Sequence, residues 1–180
     1  SPTYARQIMR PEYGNGLDRL INEVRGKVSG VLNGIDYEEF NPNTDRLIPA
    51  NFSAETLALR EENKIELQKE FGLEINPDTP LLSYVGRFGT QVDNQKGINL
   101  LLRVLPPLMR DFSVQFVFLG GGDAEITSEI RTVVERFPTT IGAHLQLDFN
   151  LSRLVFAGTD IIIMPSRFEP CGLPQIEGMR

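Results

Sequence analysis

The sequence predicts an α/β fold built on a parallel sheet that carries helices on both faces. From residue 80 onward, short apolar segments alternate with segments of helical spacing. The apolar segments are nearly continuous, which is typical of strands that are buried on both sides and joined by right-handed crossovers. We therefore expect a Rossmann-like, doubly wound sheet in residues 80–180.

Four strands and four helices are expected in this region, in alternation. The strands are PLLSYVGRF (80–88), FSVQFVFLG (112–120), AHLQLDF (143–149) and TDIIIMPS (159–166). The helices are KGINLLLRVLPPLMRD (96–111), DAEITSEIRTVVERF (123–137), NLSRLVFAG (150–158) and CGLPQIEGMR (171–180). Because proline lacks the backbone donor, we expect the first of these helices to break at Pro106 and Pro107.

The earlier part of the chain shows a different pattern. Residues 1–27 indicate two short helical pieces, and residues 26–42 indicate a short strand that ends in an Asn33-Gly34 turn before an irregular stretch. ETLALREENKIELQKEFG (55–72) predicts a highly charged helix with a solvated face, closed by Gly72 in the C′ position. This part is expected to be connecting structure.

Composition and charge exclude several classes of partner. No apolar run approaches the roughly 20 residues of a membrane helix, so we expect no membrane partner. A net charge of −6 without any run of Lys or Arg argues against nucleic acid, which binds most strongly to clustered positive charge.

The single cysteine, Cys171, requires no oxidising compartment, so we expect a cytoplasmic or plastid location. Without an initiator Met or a helix-ending signal, both termini are expected to be cuts through a longer protein.

Polar residues and glycines follow three of the predicted strands. Since ligands of open α/β sheets bind at the carboxyl ends of the strands, where helix N-termini also point, we expect these residues to share one rim. They are Gly86, Arg87, Lys96 and Gly97 after the first strand, Gly120, Gly121, Gly122 and Asp123 after the second, and Ser166, Arg167, Glu169, Cys171 and Gly172 after the fourth.

Lys96 and Arg87 are the candidate anion-binding residues of this rim. A cation directly before a helix N-terminus opposes the macrodipole at a cost of about 0.3–1 kcal/mol, unless an anion shares the position. A bound phosphate would remove that conflict. Alternatively, Lys96 is a surface lysine and Arg87 a structural salt-bridge partner. Together they favour a diphosphate, which arginine grips with two hydrogen bonds and lysine as a point charge.

The remaining candidate positions each have a structural alternative. The three glycines before Asp123 favour a tight strand-to-helix turn with Asp123 as N-cap. The functional alternative is that the glycines let the backbone approach a nucleotide. They do not form the G-x-G-x-x-G pattern of NAD-binding proteins. The only histidine, His144, is expected to be structural or exposed, and the sequence offers neither a metal site nor a Ser-His-Asp arrangement.

Two glutamates frame the last predicted helix. Glu169 precedes Pro170 and is expected in the loop, whereas Glu177 lies within the helix. Both carboxylates would then face the cleft, one from the loop and one from the helix. The alternative is that Glu169 caps the helix and Glu177 is solvated.

The chain resembles bacterial glycogen synthases and plant starch synthases over nearly its whole length. The motifs that carry the resemblance are SPTYA, GVLNGIDYEEFNP, NKIELQKEFGL, QKGINLL, FVFLGGGD, AGTDIIIMPSRFEPCGL and the closing MR. Of these, PSRFEPCGL is highly specific.

The resemblance implies a GT-B glycosyltransferase, in which two Rossmann-like domains face each other across a cleft. Residues 1–35 would be the end of the N-terminal domain and the hinge, 36–79 a connecting segment, and 80–180 part of the nucleotide-sugar domain. The family transfers glucose from ADP-glucose to the non-reducing end of an α-1,4-glucan, with retention and without a metal or other cofactor.

The resemblance also implies roles for single residues. Arg87 and Lys96 would hold the distal phosphate, and Glu169 would contact the glucose hydroxyls. A nucleotide-sugar-binding set is expected as well, comprising Gly121, Gly122, Asp123, Cys171, Gly172, Leu173 and Glu177. Such a site suits the chemistry, because cations and helix N-terminal amides stabilise the diphosphate as the sugar–phosphate bond breaks.

Two positions depart from the family pattern. The spacing in RFGTQVDNQK is longer than usual, which predicts an insertion at 90–94. Glu177 stands where many bacterial glycogen synthases have another residue, whereas the wider superfamily often has a glutamate that binds the ribose. This departure leaves both ADP and UDP open as the nucleotide of the donor. The alternative hypotheses for the function are another retaining GT-B transferase with a UDP-sugar donor, and a glucan-binding homologue without activity.

Overall fold

A computed structural model describes residues 1–89 and 94–180; the insertion predicted at 90–94 falls almost entirely outside them. From residue 60 onward helices and strands alternate. They are α3 (Arg60–Glu70), β1 (Leu81–Val85), α4 (Ile98–Asp111), β2 (Gln115–Leu119), α5 (Ala124–Arg136), β3 (Ile141–His144), α6 (Phe149–Gly158), β4 (Ile161–Ile162) and α7 (Leu173–Met179). Two short helices precede them, α1 (Pro2–Gln7) and α2 (Asp18–Glu23), and three 3₁₀ helices cover Arg25–Lys27, Ala54–Leu59 and Asn94–Lys96.

The four strands form one parallel sheet in the order β3-β2-β1-β4. Every residue of β2 is buried, as expected for a strand covered on both faces. Phe116 and Phe118 point to the layer of α4 and α5, whereas Val117 and Leu119 point to that of α3 and α6, following the two-residue period of a strand. The predicted doubly wound α/β fold is confirmed.

Helix α3 differs from the prediction of a solvated helix, because one of its faces is buried. Leu67 packs beneath the sheet. The Lys64 side chain is 9 % exposed, and its ammonium donates to Asp160 Oδ2 at 2.7 Å. Gln68 donates to Gln115 Oε1 at 2.7 Å. The polar residues on this face are therefore paired rather than solvated, which is why composition alone was misleading. The division of the chain at residues 35 and 79 stays a prediction.

The end of α3 is as predicted. Gly72 has φ +67°, in the left-handed region, directly after the C-cap residue Phe71. The amide of Gly72 donates to Lys69 O at 3.0 Å, and that of Leu73 donates to Gln68 O at 2.8 Å. These two bonds form a Schellman motif, which satisfies the last carbonyls of the helix.

The break predicted at Pro106 and Pro107 is absent, and α4 runs through both prolines to Asp111. Two adjacent prolines remove only two backbone donors. The helix is held by its apolar face, on which Leu101 and Leu105 are buried against the sheet. Tertiary packing has therefore overridden the local cost of proline.

Strands β3 and β4 are shorter than predicted, and β3 begins earlier. The chain leaves β3 after His144 because Asp148 caps α6, accepting hydrogen bonds from the amides of Asn150 and Leu151 at 2.9 Å each. In β4 only Ile161 and Ile162 pair with β1, at the edge of the sheet.

The strand predicted within 26–42 is not formed, nor is a turn at Asn33-Gly34. The turn lies instead at Asp36, whose Oδ1 accepts from the amides of Glu38 and Glu39 at 2.8 and 3.1 Å. An aspartate that bonds the backbone ahead of it competes with extended structure, and this signal was overlooked. No helix within the described ranges is long and apolar enough to cross a bilayer.

Candidate functional site

The glycine loop after β2 continues the pairing of β1 and β2 beyond both strands. The amide of Phe88 donates to Gly121 O and the amide of Asp123 donates to Phe88 O, each at 2.9 Å. Any side chain at Gly120 would overlap the carbonyl of Gly86, and one at Gly122 would overlap that of Phe88. The glycines are therefore required by the close approach of two backbone segments.

Asp123 is the N-cap of α5, as the structural alternative predicted. Its Oδ1 accepts from the amides of Glu125 and Ile126 at 3.0 and 3.2 Å. Capping accounts for the aspartate, and the close approach of the backbones accounts for Gly122, whereas a Cβ on Gly121 would make only a tight contact of 3.3 Å with Leu145 O. Their nucleotide-binding role stays a prediction.

Lys96 and Glu169 meet at the rim, although 73 positions separate them in the sequence. The Lys96 ammonium donates to Glu169 Oε2 at 2.7 Å, and the Ser166 hydroxyl donates to the same oxygen at 3.1 Å. The side chains of the lysine and the glutamate are 20 % and 23 % exposed. An ion pair with this much burial is held in place, yet water and a ligand can still reach it.

The loops that carry these two residues are joined through their backbones. The amide of Arg167 donates to Gln95 O at 2.8 Å, and Gln95 Nε2 donates to Phe168 O at 3.3 Å. Gly97, the N-cap of α4, has φ +67° and packs against the carbonyl of Pro165 with no room for a Cβ. The position of Lys96 relative to Glu169 is therefore fixed by the fold.

Arg87 lies on the same rim, with an exposed side chain. Its carbonyl accepts a hydrogen bond from the buried Tyr84 hydroxyl at 2.9 Å. Burial raises the pKa of Tyr84, Glu169 raises it further and Arg87 lowers it, so both charged groups act on this phenol. No hydrogen bond or ion pair joins the guanidinium to another residue in the ranges 1–89 and 94–180.

Aromatic side chains near the start of the chain reach the loop of Glu169. The rings of Tyr4 and Phe168 are parallel with centroids 6.4 Å apart, and Tyr13 meets Phe168 edge-on at 5.4 Å. These contacts, like those of Tyr84 and Gln95, were missed by the sequence reasoning. The signal that could have pointed to them is the aromatic residue directly before Glu169.

Cys171, Gly172 and Leu173 lie where the loop enters α7. Gly172 is buried, has φ +81° and is the N-cap residue. A Cβ on it would come within 3.4 Å of Glu169 Cγ, so the backbone passes directly beside that side chain. Cys171 is half-buried and Leu173 is exposed. The predicted contact of this backbone with a sugar or phosphate remains a prediction.

Glu177 does not join this cluster. It lines a cavity of about 770 Å³ beside the edge of β4, together with Arg153 and Phe40 and without Lys96 or Glu169. Burial raises the pKa of Glu177, whereas Arg153 lowers it. We place the candidate site at the polar rim rather than in this cavity, because the rim combines the Lys96–Glu169 ion pair, the exposed Arg87 and the N-termini of α4 and α7.

Two further expectations concern histidine and metals. His144 ends β3 with its ring 39 % exposed and packed edge-on against Phe71, in a structural position. Within the described part of the chain, no three His, Cys, Asp or Glu side chains are grouped so as to hold a metal ion.

Residues 79–180 match the family described as Glycosyl transferases group 1. The chain belongs to this family. Its site therefore lies in a glycosyltransferase fold, and the GT-B expectation is confirmed by the starch synthase IV catalytic domain of Arabidopsis thaliana, solved with ADP and acarbose. That structure superposes with a TM-score of 0.89 at 36 % identity, over 99 % of this chain and 36 % of the other.

Curated proteins similar to this chain include glycogen synthases. All 180 residues align with those of Lactococcus lactis (strain IL1403) and Trichodesmium erythraeum (strain IMS101), at 44 % and 43 % identity. The chain spans 37 % and 38 % of the length of these two relatives.

The geometry of the candidate site suits a ligand with an anionic part and a hydroxylated part. Arg87 and Lys96 supply positive charge, and the N-terminus of α4 adds backbone donors beside them. A few ångströms away, the Glu169 carboxylate can accept hydrogen bonds from hydroxyl groups. A sugar joined to a diphosphate has both parts.

Proposed function

We propose that the full-length protein carrying this chain is a glycogen or starch synthase, which transfers glucose from ADP-glucose to the non-reducing end of an α-1,4-glucan with retention. The observation that carries the proposal is the Lys96–Glu169 pair, a cation and a carboxylate 2.7 Å apart at the carboxyl ends of the strands. The aligned glycogen synthases and the starch synthase IV structure with bound ADP support it.

In this proposal Arg87 and Lys96 bind the distal phosphate of the donor. Breaking the sugar–phosphate bond increases the negative charge on the diphosphate, and the two cations stabilise that charge without needing to reorganise. Gly97 and the first turn of α4 contribute a favourable dipole at the same place. These residues lower the free energy of the departing diphosphate in the transition state.

Glu169 orients the glucose by accepting hydrogen bonds from its hydroxyl groups. Backbone amides of Cys171, Gly172 and Leu173 approach the sugar and phosphate, while Gly121, Gly122 and Asp123 border the nucleotide. Glu177, which lines the cavity beside β4, is proposed to accept a hydrogen bond from the ribose hydroxyls.

The proposed reaction needs no metal or other cofactor, because the charge of the diphosphate is met by side chains. A chelator is therefore expected to leave the transfer rate unchanged. The proposed compartment is the cytoplasm, or the plastid in a plant or alga.

The test is glucan elongation by the full-length protein with glycogen as primer, supplied with ADP-glucose or UDP-glucose, alongside titrations with ADP and UDP. Glucose incorporation from ADP-glucose in large excess over UDP-glucose supports the proposal, and a preference for UDP-glucose assigns the protein to another donor class. Binding of glycogen without transfer from either donor indicates a non-catalytic homologue. We expect the isolated 180 residues to elongate no glucan, since they span little more than a third of their relatives.

A further inference from the structure

We propose that Glu169 makes the donor site select a sugar-linked diphosphate over the free nucleoside diphosphate, and so promotes release of the product. The inference rests on the proposed function. In addition to the sugar contact already proposed for Glu169, its ion pair with Lys96 affects how the donor and the free nucleoside diphosphate compete for the site.

The carboxylate is fixed beside the phosphate-binding lysine. Glu169 Oε2 accepts from both Lys96 Nζ at 2.7 Å and Ser166 Oγ at 3.1 Å. On its other side the backbone of Gly172 runs beside the glutamate, since a Cβ there would stand in van der Waals contact with Glu169 Cγ at 3.4 Å. Because Lys96 and Ser166 both hold this carboxylate, a phosphate that binds Lys96 meets its negative charge.

The two ligands respond to that charge in opposite ways. A donor presents sugar hydroxyls, which donate to the carboxylate and offset the loss of its water. Free ADP presents a terminal phosphate with one more ionisable oxygen and no hydroxyl at that point, so the carboxylate repels it. Since both side chains are largely buried, solvent weakens the repulsion only in part.

Transfer of the glucose converts the bound donor, whose hydroxyls bind Glu169, into bound ADP, which Glu169 repels. When glucose leaves, the diphosphate gains negative charge and Glu169 loses its hydroxyl partners. Affinity for the product then falls at the step when the product has to dissociate. Lys96 keeps its ion-pair partner throughout, so the empty site returns to the paired arrangement.

The test is calorimetric titration of the full-length protein with ADP and with ADP-glucose, in the absence of glucan so that no transfer occurs. Glu169→Gln retains the shape and removes the charge. We expect ADP to bind about three- to tenfold more tightly and ADP-glucose about tenfold more weakly or worse. The gain for ADP should shrink as salt is raised.

Two further variants separate this effect from general electrostatics and from misfolding. Glu135→Gln removes an exposed carboxylate on α5, far from the pair, and both affinities should stay at the wild-type values. Ser166→Ala removes one of the two donors that hold the Glu169 carboxylate in place. Because the carboxylate can then turn away from the ligand, we expect the ratio of the ADP and ADP-glucose dissociation constants to shift in the same direction as in Glu169→Gln, by a smaller factor.

The inference is overturned if Glu169→Gln binds ADP no more tightly than the wild type and Ser166→Ala leaves the ratio of the ADP and ADP-glucose dissociation constants unchanged. If the wild-type protein still elongates glucan from ADP-glucose in that case, the proposed function stands alone. A wild-type protein that binds neither ligand and transfers no glucose overturns both.

Discussion

Gly97 offers a direct test of whether the contact between the two loops sets the geometry of the site. In Gly97→Ala the new Cβ would lie 2.0 Å from the Pro165 carbonyl oxygen, whereas such contacts need about 3 Å or more. The loops carrying Lys96 and Glu169 must then separate by about 1 Å. A displacement of this size at a reacting centre costs about 10²-fold in rate. We expect kcat/KM for glucose transfer to fall by about that factor.

Gly72→Ala is the matched control. Gly72 has the same φ of +67°, but a Cβ there meets no atom within 4 Å, and the residue lies at the end of α3. Both variants carry the left-handed cost of about 1–2 kcal/mol in the free energy of unfolding, and only Gly97→Ala adds the overlap. A Gly97→Ala protein that is folded and retains more than about half of the activity would refute the reasoning, as would an equal loss in Gly72→Ala.

Three further predictions concern stability, measured by urea unfolding of the full-length protein. Arg153→Leu leaves its partner Asp45, 2.7 Å away, buried without a countercharge, so the free energy of unfolding should fall by about 3–5 kcal/mol. Adding Asp45→Asn should recover part of that loss, and a fall of less than about 1 kcal/mol in Arg153→Leu would contradict the buried ion pair. Asp123→Ala removes the cap of α5 and should lower the free energy of unfolding by about 1 kcal/mol, whereas no change would contradict the capping role. The pKa of Glu177 is raised in the folded state, so its ionisation destabilises the fold as the pH rises through that pKa. Glu177→Gln should therefore be more stable than the wild type at pH 7, and the difference should vanish in acid. A variant that is less stable than the wild type at pH 7 would show that the carboxylate stabilises the fold.

The parallel sheet could be predicted because strands such as Gln115–Leu119 are apolar on both faces, and this pattern has few alternatives. The continuous α4 could not be predicted in the same way. Its two prolines give a strong local signal, while the packing of Leu101 and Leu105 that outweighs it is decided by tertiary contacts. The buried face of α3 escaped prediction for a related reason, since Lys64 is paired with a residue 96 positions away.

The site could be predicted to the level of its rim. The rule that ligands bind at the carboxyl ends of parallel strands brought Lys96 and Glu169 to one edge, and the structure joins them in an ion pair. The sequence did not reveal that Tyr4 and Tyr13 pack on Phe168, because contacts between distant segments leave no local pattern. Glu177 also could not be placed, since the direction of a side chain on a seven-residue helix depends on what packs beside it.

The most direct test of the account is the rate of glucose transfer from ADP-glucose to glycogen by the full-length protein and its Lys96→Ala variant. Lys69→Ala, which removes an exposed lysine on α3, is the control and should match the wild type. If Lys96 stabilises the departing diphosphate, kcat/KM should fall about 10²- to 10³-fold in Lys96→Ala. A Lys96→Ala protein with near-normal kcat/KM would contradict the assignment of the phosphate site and with it the proposed mechanism.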